Sequence, residues 1–212
     1  MRLLKQSILI ILTLLFTSTT IEAEQSSKKY FRKIVVPAVD EVFTELQQQY
    51  IEISKNINNR DYAQKISNLK KIYKVTLDKD LLMAIKPHPR SIAIAQAAME
   101  SAWAKSRFFK QANNLYGIWS LNKNEPRIAA LQKRGNKRVW LKKYSNLKES
   151  IYDYYKTIGR SHAFKEFRKL KMETDNPYEL VKKLENYSEI GPKYSEGVSS
   201  IIRYNKFYLY DR

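Results

Sequence analysis

The sequence predicts a mainly α-helical protein with one small β-hairpin lobe. Three observations carry that expectation. Apolar residues recur every three or four positions over long stretches, from Val39 to Ile57 and again from Leu147 to Asn186. Between them, 120–145 alternates instead and carries aromatic and β-branched residues in "RVWLKKYSN", behind a Gly135-Asn136 pair suited to a hairpin turn. The chain has 212 residues without an internal repeat, which suits one domain with an extension.

The first segment, 1–23, reads as a secretory signal or an N-terminal anchor. "MRLLKQ" is basic, "ILIILTLLF" (Ile8 to Phe16) is apolar, and a polar run leads to "TIEA". The apolar run is short for a membrane span. Ile21 stands three residues before a cut after Ala23, where a small residue is usual, so the segment either is cleaved or stays as an anchor. The expected location is therefore the periplasm or cell envelope. The absence of cysteine fits export and excludes disulfide and thiolate chemistry.

The second segment, 24–75, is expected to be a polar linker up to Pro37 and then a helical arm. Val39, Val42, Phe43, Leu46, Tyr50, Ile53 and Ile57 mark one helix face; "NINNRD" (56–61) breaks it; Ile66, Leu69, Ile72 and Tyr73 mark a second helix. The third, 76–212, is expected to be the functional domain. "KPHPRS" (86–91) cannot be helix interior, and Ser91 suits an N-cap for a helix over 91–107. "NNLYGIW" follows as a loop entry, then the hairpin. After it come the helical stretches "LKESIYDYYKTI", "AFKEFRKL" and "NPYELVKKLENY", with Pro177 at a first helical position, and a closing loop and helix.

The formal charge is +18; removing 1–23 (Arg2, Lys5, Glu22) takes away +1 and leaves +17. Such a field attracts polyanions, and on an exported chain it points to anionic lipid or cell wall rather than nucleic acid. The same lysines also serve a plainly solvated surface.

One carboxylate stands out. Glu100 lies in "AQAAMESAWAKS", and on a helix its neighbours are Gln96, Ala97, Trp103 and Ala104, with no cation among them. Burial against tryptophan would favour its neutral form and raise its pKa. A carboxylic acid still protonated near neutral pH can donate a proton to a leaving oxygen, as glycosidic cleavage requires. A surface glutamate paired with a distant lysine is the plainer alternative.

"AIAQAAMESAWAKSRFFKQANNLYGIW" resembles the signature of the glucosaminidase domain family (glycoside hydrolase family 73, mannosyl-glycoprotein endo-beta-N-acetylglucosaminidase-like), and within it the bacterial Bax-type proteins. Ala95, Gln96, Ala97, Glu100, Ser101, Trp103, Ser106, Asn113, Asn114, Leu115, Tyr116 and Gly117 match its pattern in order. Ala104 replaces the usual glycine, a change that a helix would favour. The resemblance implies a lysozyme-like two-lobed fold with a cleft. It implies cleavage of the β-1,4 bond between N-acetylglucosamine and N-acetylmuramic acid in peptidoglycan, with Glu100 as general acid.

Such hydrolysis usually uses a second carboxylate. Between Glu100 and Glu149 the only acid is Glu125, in "NKNEPR". Either Glu125 serves, or the substrate's acetamido group assists while a tyrosine holds geometry; the resemblance points to Tyr187 or Tyr194 in "YSEIGPKY". Gln96, Trp103, Asn113, Asn114, Tyr116 and Trp119 are the expected substrate contacts, with Trp140 a weaker one. His88 and His162 are isolated from each other and from any acid cluster, and there is no cysteine, so no metal or cofactor is expected. Peptidoglycan strands are the expected partner of a monomer, with the anionic membrane or wall as a further contact. The alternatives are a non-catalytic peptidoglycan-binding module and a structural anchor.

Overall fold

The computed structural model describes the backbone of residues 2–135 and 137–212, with side chains for 22–131, 135 and 138–212. The signal-like side chains of 1–21 and Asn136 of the expected turn lie outside the described residues. Among the described residues no helix is long and apolar enough to cross a membrane.

The first helix, α1 (Arg2–Lys55), runs through Pro37. The expected linker over 24–37 is therefore helix. Phe31, Val35, Val39 and Val42 form a fully buried stripe at helical spacing, and Leu46 extends it. Burial of each such side chain contributes about 1.5–3 kcal/mol, which outweighs the backbone bond that an exposed Pro37 cannot make. Composition hid this, because Phe31 and Val35 are set among lysines and arginines.

The break at "NINNRD" falls where α1 ends, and α2 (Ala63–Tyr73) follows as expected. The next helix, α3 (Asp78–Ile85), was not anticipated. Ile53 of α1 joins Ile66, Leu69, Tyr73, Leu81, Ala84 and Ile85 in a satellite core. This cluster leans on α6 (Leu147–Arg160) at Gly159, where an added Cβ would come within 2.6 Å of the Ala84 carbonyl and 2.7 Å of the Tyr73 ring.

The main core gathers the α1 stripe with α4 (Arg90–Glu100), α6 and α9 (Pro192–Tyr204). Residues 91–98 of α4 are buried without exception. Ser91 is not the N-cap, because the helix already begins at Arg90; its N–H is instead capped by Asp211 Oδ1 at 2.8 Å. The short helices α5 (Arg107–Ala112), α7 (Lys165–Leu170) and α8 (Pro177–Leu180) complete the helical part, with Pro177 in the first turn of α8.

The hairpin lobe consists of β1 (Arg127–Arg134) and β2 (Lys137–Lys142), antiparallel, pairing Ile128 with Leu141 and Ala129 with Trp140. The register shifts between Ala129 and Lys133, where the pairing is irregular. The result is the expected class, mainly α with one small β lobe.

Candidate active site

The helix expected over 91–107 stops at Glu100. Ala102, Trp103 and Ala104 then take φ of 49°, 58° and 65°. Three successive left-handed residues cost about 1–2 kcal/mol each, so the turn needs strong local bonds. Ser101 supplies them: its hydroxyl donates to the Ala97 carbonyl at 2.6 Å and accepts from Ala104 N at 2.9 Å. Trp103 N–H reaches the Ala98 carbonyl at 2.9 Å, and Ser27 Oγ donates to the Trp103 carbonyl at 2.7 Å. A glycine is easily accommodated at 104 because the backbone there is left-handed. The helical advantage expected for Ala104 does not apply.

This turn ends α4 at Glu100 and sends Trp103 elsewhere. Its ring packs edge-on to Phe31 (5.2 Å, 73°), near Phe207, with Lys28 Nζ 5.3 Å above it. Trp103 thus braces α1 and is not a neighbour of Glu100 on a helix face.

Glu100 is half-buried at the helix end. Tyr194 of α9 donates to its Oε1 at 2.8 Å. Its Oε2 faces Gly117, lying 3.7 Å from where a Cβ would stand on that residue. Burial pushes its carboxyl pKa up, and the bond from Tyr194 offsets part of that rise.

The facing wall is the loop after α5. Asn113 caps α5 at φ 50° and donates to the Tyr144 carbonyl at 3.0 Å. Asn114 is buried; it donates to the Ile118 and Lys142 carbonyls at 3.0 and 2.9 Å and accepts from Ile118 N. Both asparagines shape the loop, Asn114 tying it to β2 and Asn113 to Tyr144 just beyond, and Asn114 has no amide hydrogen left for a sugar acetamido group. These ties set Gly117 (φ +66°) opposite Glu100.

Two expected substrate contacts are core residues. Tyr116 is only 2% exposed and stacks on Tyr154 at 3.9 Å and 8°. Gln96 is fully buried between Tyr154 and Tyr194. Trp119 is 48% exposed and held at the base of the hairpin by a bridge to Leu141. Trp140 lies under the Arg127 guanidinium at 4.3 Å.

Tyr187 and Tyr194 are brought together, their rings stacked at 5.3 Å and 13°. Tyr187 donates to the Tyr116 carbonyl at 3.1 Å. Burial and the nearby Glu100 carboxyl push both hydroxyl pKa values up. Glu125 belongs to another group: its carboxylate is 3.8 Å from Lys142 Nζ, which also holds Asp153 at 2.8 Å. Asp153, which the sequence reading overlooked, also accepts from Tyr144 and pairs with Lys156. These partners outweigh the effect of burial and lower its pKa to about 2. His88 Nε2 lies 2.8 Å from the Tyr154 hydroxyl. Among the described residues no group of three or more His, Cys, Asp or Glu side chains is placed to hold a metal ion.

The family model of mannosyl-glycoprotein endo-beta-N-acetylglucosaminidase (glucosaminidase) matches residues 80–207. Among solved structures, the catalytic domain of the autolysin Auto from Listeria monocytogenes is 21% identical, covering 78% of this chain and 88% of that one, with a TM-score of 0.49. A peptidoglycan hydrolase from Sphingomonas sp. A1 is 16% identical over 70% of this chain and 87% of that one, with a TM-score of 0.48. The glycoside hydrolase domain of Salmonella typhimurium FlgJ is 19% identical over 65% of this chain and 88% of that one, with a TM-score of 0.45. No curated protein matches the chain.

Proposed function

The chain belongs to the glucosaminidase family and is a glycoside hydrolase; on that premise we propose that it is an exported enzyme that cleaves the β-1,4 bond between N-acetylglucosamine and N-acetylmuramic acid in peptidoglycan, with Glu100 as general acid. The observation that carries this reading is the state of Glu100. Among the described residues its carboxyl has no cation partner, burial favours its protonated form, and one oxygen faces Gly117 rather than a side chain. An acid of raised pKa can protonate the leaving sugar oxygen as the glycosidic bond breaks. Tyr194 donates to the carboxylate left behind and so stabilises the product of that transfer.

For the second group, the contacts favour the substrate's own acetamido oxygen over Glu125. Glu125 meets Lys142, whereas the stacked Tyr187 and Tyr194 lie beside Glu100, and the buried Tyr194 holds its carboxyl in place. Among the expected substrate contacts, Trp119 is the exposed aromatic and is the one suited to contact a sugar face. Export rests on the signal-like 1–23, and the +18 charge would favour an anionic wall or membrane surface. Fractionation of cells with mass measurement of the mature N-terminus tests export; recovery only from the cytoplasm would refute it.

Digestion of purified peptidoglycan, with products read by mass spectrometry, tests the bond. The expected fragments carry a reducing N-acetylglucosamine end. Fragments ending in reducing N-acetylmuramic acid would contradict the specificity. Intact glycan that nevertheless binds the protein would leave the binding-module reading.

A further inference from the structure

Glu100 is the last member of a buried chain of hydrogen bonds. His88 Nε2 lies 2.8 Å from the Tyr154 hydroxyl. Tyr154 donates to Gln96 Oε1 at 2.5 Å. Gln96 Nε2 donates to the Tyr194 hydroxyl at 2.8 Å, and Tyr194 donates to Glu100 Oε1 at 2.8 Å. His88, Tyr154, Gln96 and Tyr194 are all buried.

For this orientation of the Gln96 amide, the direction of the chain follows from counting hydrogens. A tyrosine hydroxyl has one. Tyr154 gives its hydrogen to Gln96, so the bond to His88 must use a hydrogen from Nε2. With Gln96 in this orientation, His88 carries a hydrogen on Nε2, and in the neutral ring Nδ1 is then bare. Its packing among the rings of Tyr154, Tyr155 and Phe167 disfavours a charge, and Lys171 beyond them adds to that.

The opposite direction is chemically possible. With the Gln96 amide turned over and His88 protonated on Nδ1, Tyr154 would donate to His88 and Tyr194 to Gln96. Glu100 would then have to give its own proton to Tyr194 from Oε1. The two directions therefore differ in where the acid keeps its proton. In the first, Oε1 is an acceptor and the proton sits on Oε2, facing Gly117. In the second, the proton is tied up inside the chain.

We infer that His88 and Tyr154 are positioning residues for the cleavage proposed above: acting through Gln96, they set the direction of the chain and keep the transferable proton of Glu100 on Oε2. This inference rests on the reading of Glu100 as the acid. The titratable groups that face the two ends are Tyr187 and Tyr194 at Glu100, and Tyr154, Tyr155 and Lys171 at His88.

The test uses the full chain labelled at the histidine nitrogens and glutamate carboxyls, followed by NMR without substrate. Wild-type His88 is expected to be protonated on Nε2. In Tyr154→Phe and His88→Phe, Gln96 is free to turn and take the Tyr194 hydrogen. The Glu100 carboxylate then loses a charge-assisted bond, and its titration moves up by about one pH unit. His88→Gln restores an N–H donor to Tyr154 and should return the titration toward wild type. In peptidoglycan cleavage, kcat should fall about tenfold in the two Phe variants with KM unchanged, and the upper pH limb should move up with the titration. A wild-type His88 protonated on Nδ1 would overturn the inference. So would an unmoved Glu100 titration in folded Phe variants. If those variants do not fold, the wild-type tautomer and the His88→Gln titration decide the question. Expected titrations in a chain that leaves peptidoglycan intact would refute the hydrolase reading and retain the direction of the chain.

Discussion

Gly117→Ala probes the wall opposite the acid. Gly117 has φ +66°, a left-handed conformation that costs an alanine about 1–2 kcal/mol. The unfolded chain loses freedom on the same change, which returns about 0.4–1 kcal/mol. The net expectation is a destabilisation of about 1 kcal/mol, or about 2–4 °C in melting temperature for a chain of this length. Space is not the cause, because the new methyl would stand 3.7 Å from Glu100 Oε2, an ordinary contact. That contact has a second effect. A leaving oxygen must come within about 2.6–3.2 Å of the acid, and the methyl would occupy part of the approach to Oε2. Cleavage of peptidoglycan well below the melting temperature should therefore fall at least about tenfold in kcat/KM, equivalent to about 1.4 kcal/mol. Calorimetry and initial rates separate the two effects. An unchanged melting temperature would refute the strain argument. A lowered melting temperature with full activity would refute the placement of Oε2 as the working oxygen.

Three further expectations follow from other contacts. Gly159→Ala places a Cβ 2.6 Å from a backbone carbonyl that cannot swing aside, so α3 and α6 must part; a loss of about 1–3 kcal/mol is expected despite the better helix former, read as a lower melting temperature, and an unchanged value would contradict the packing. Glu125→Gln should leave the cleavage rate within about threefold, whereas a loss of about 100-fold or more would make Glu125 the second catalytic carboxylate. Lys171 is buried, and burial lowers its pKa to about 7, below its unfolded value near 10.5. The unfolded chain therefore binds the extra proton between these values, and stability should fall as pH drops from about 10 to about 7, by up to about 1.4 kcal/mol per pH unit from this group. Lys171→Met should flatten that part of a melting-temperature profile, and a profile identical to wild type would count against it.

The sequence made Glu100 legible because an acid among alanines is a local anomaly. It also located the hairpin, whose period of two differs from its surroundings; the resemblance at "YSEIGPKY" left Tyr187 and Tyr194 as alternatives, and the fold stacks the two rings. It misjudged α1, because Phe31 and Val35 repeat at four-residue spacing inside a stretch that looks polar by composition. It extended α4 past Glu100 because alanine and tryptophan give no sign of left-handed backbone; that turn is held by Ser101 and Ser27, the latter far away in the chain. Motif position does not distinguish a wall from the core behind it, so Tyr116 and Gln96 read as substrate contacts although both are buried. His88 and Tyr154 are 66 residues apart, and only the packing of α6 against the segment before α4 joins them.

The central claim is that Glu100 supplies the proton. Glu100→Gln keeps the shape and an oxygen to accept from Tyr194 while removing the acid. With both proteins shown folded and peptidoglycan as substrate, the rate of release of soluble fragments by Glu100→Gln should fall about 10²–10⁴-fold from wild type. A Gln variant that digests peptidoglycan at the wild-type rate would contradict the account.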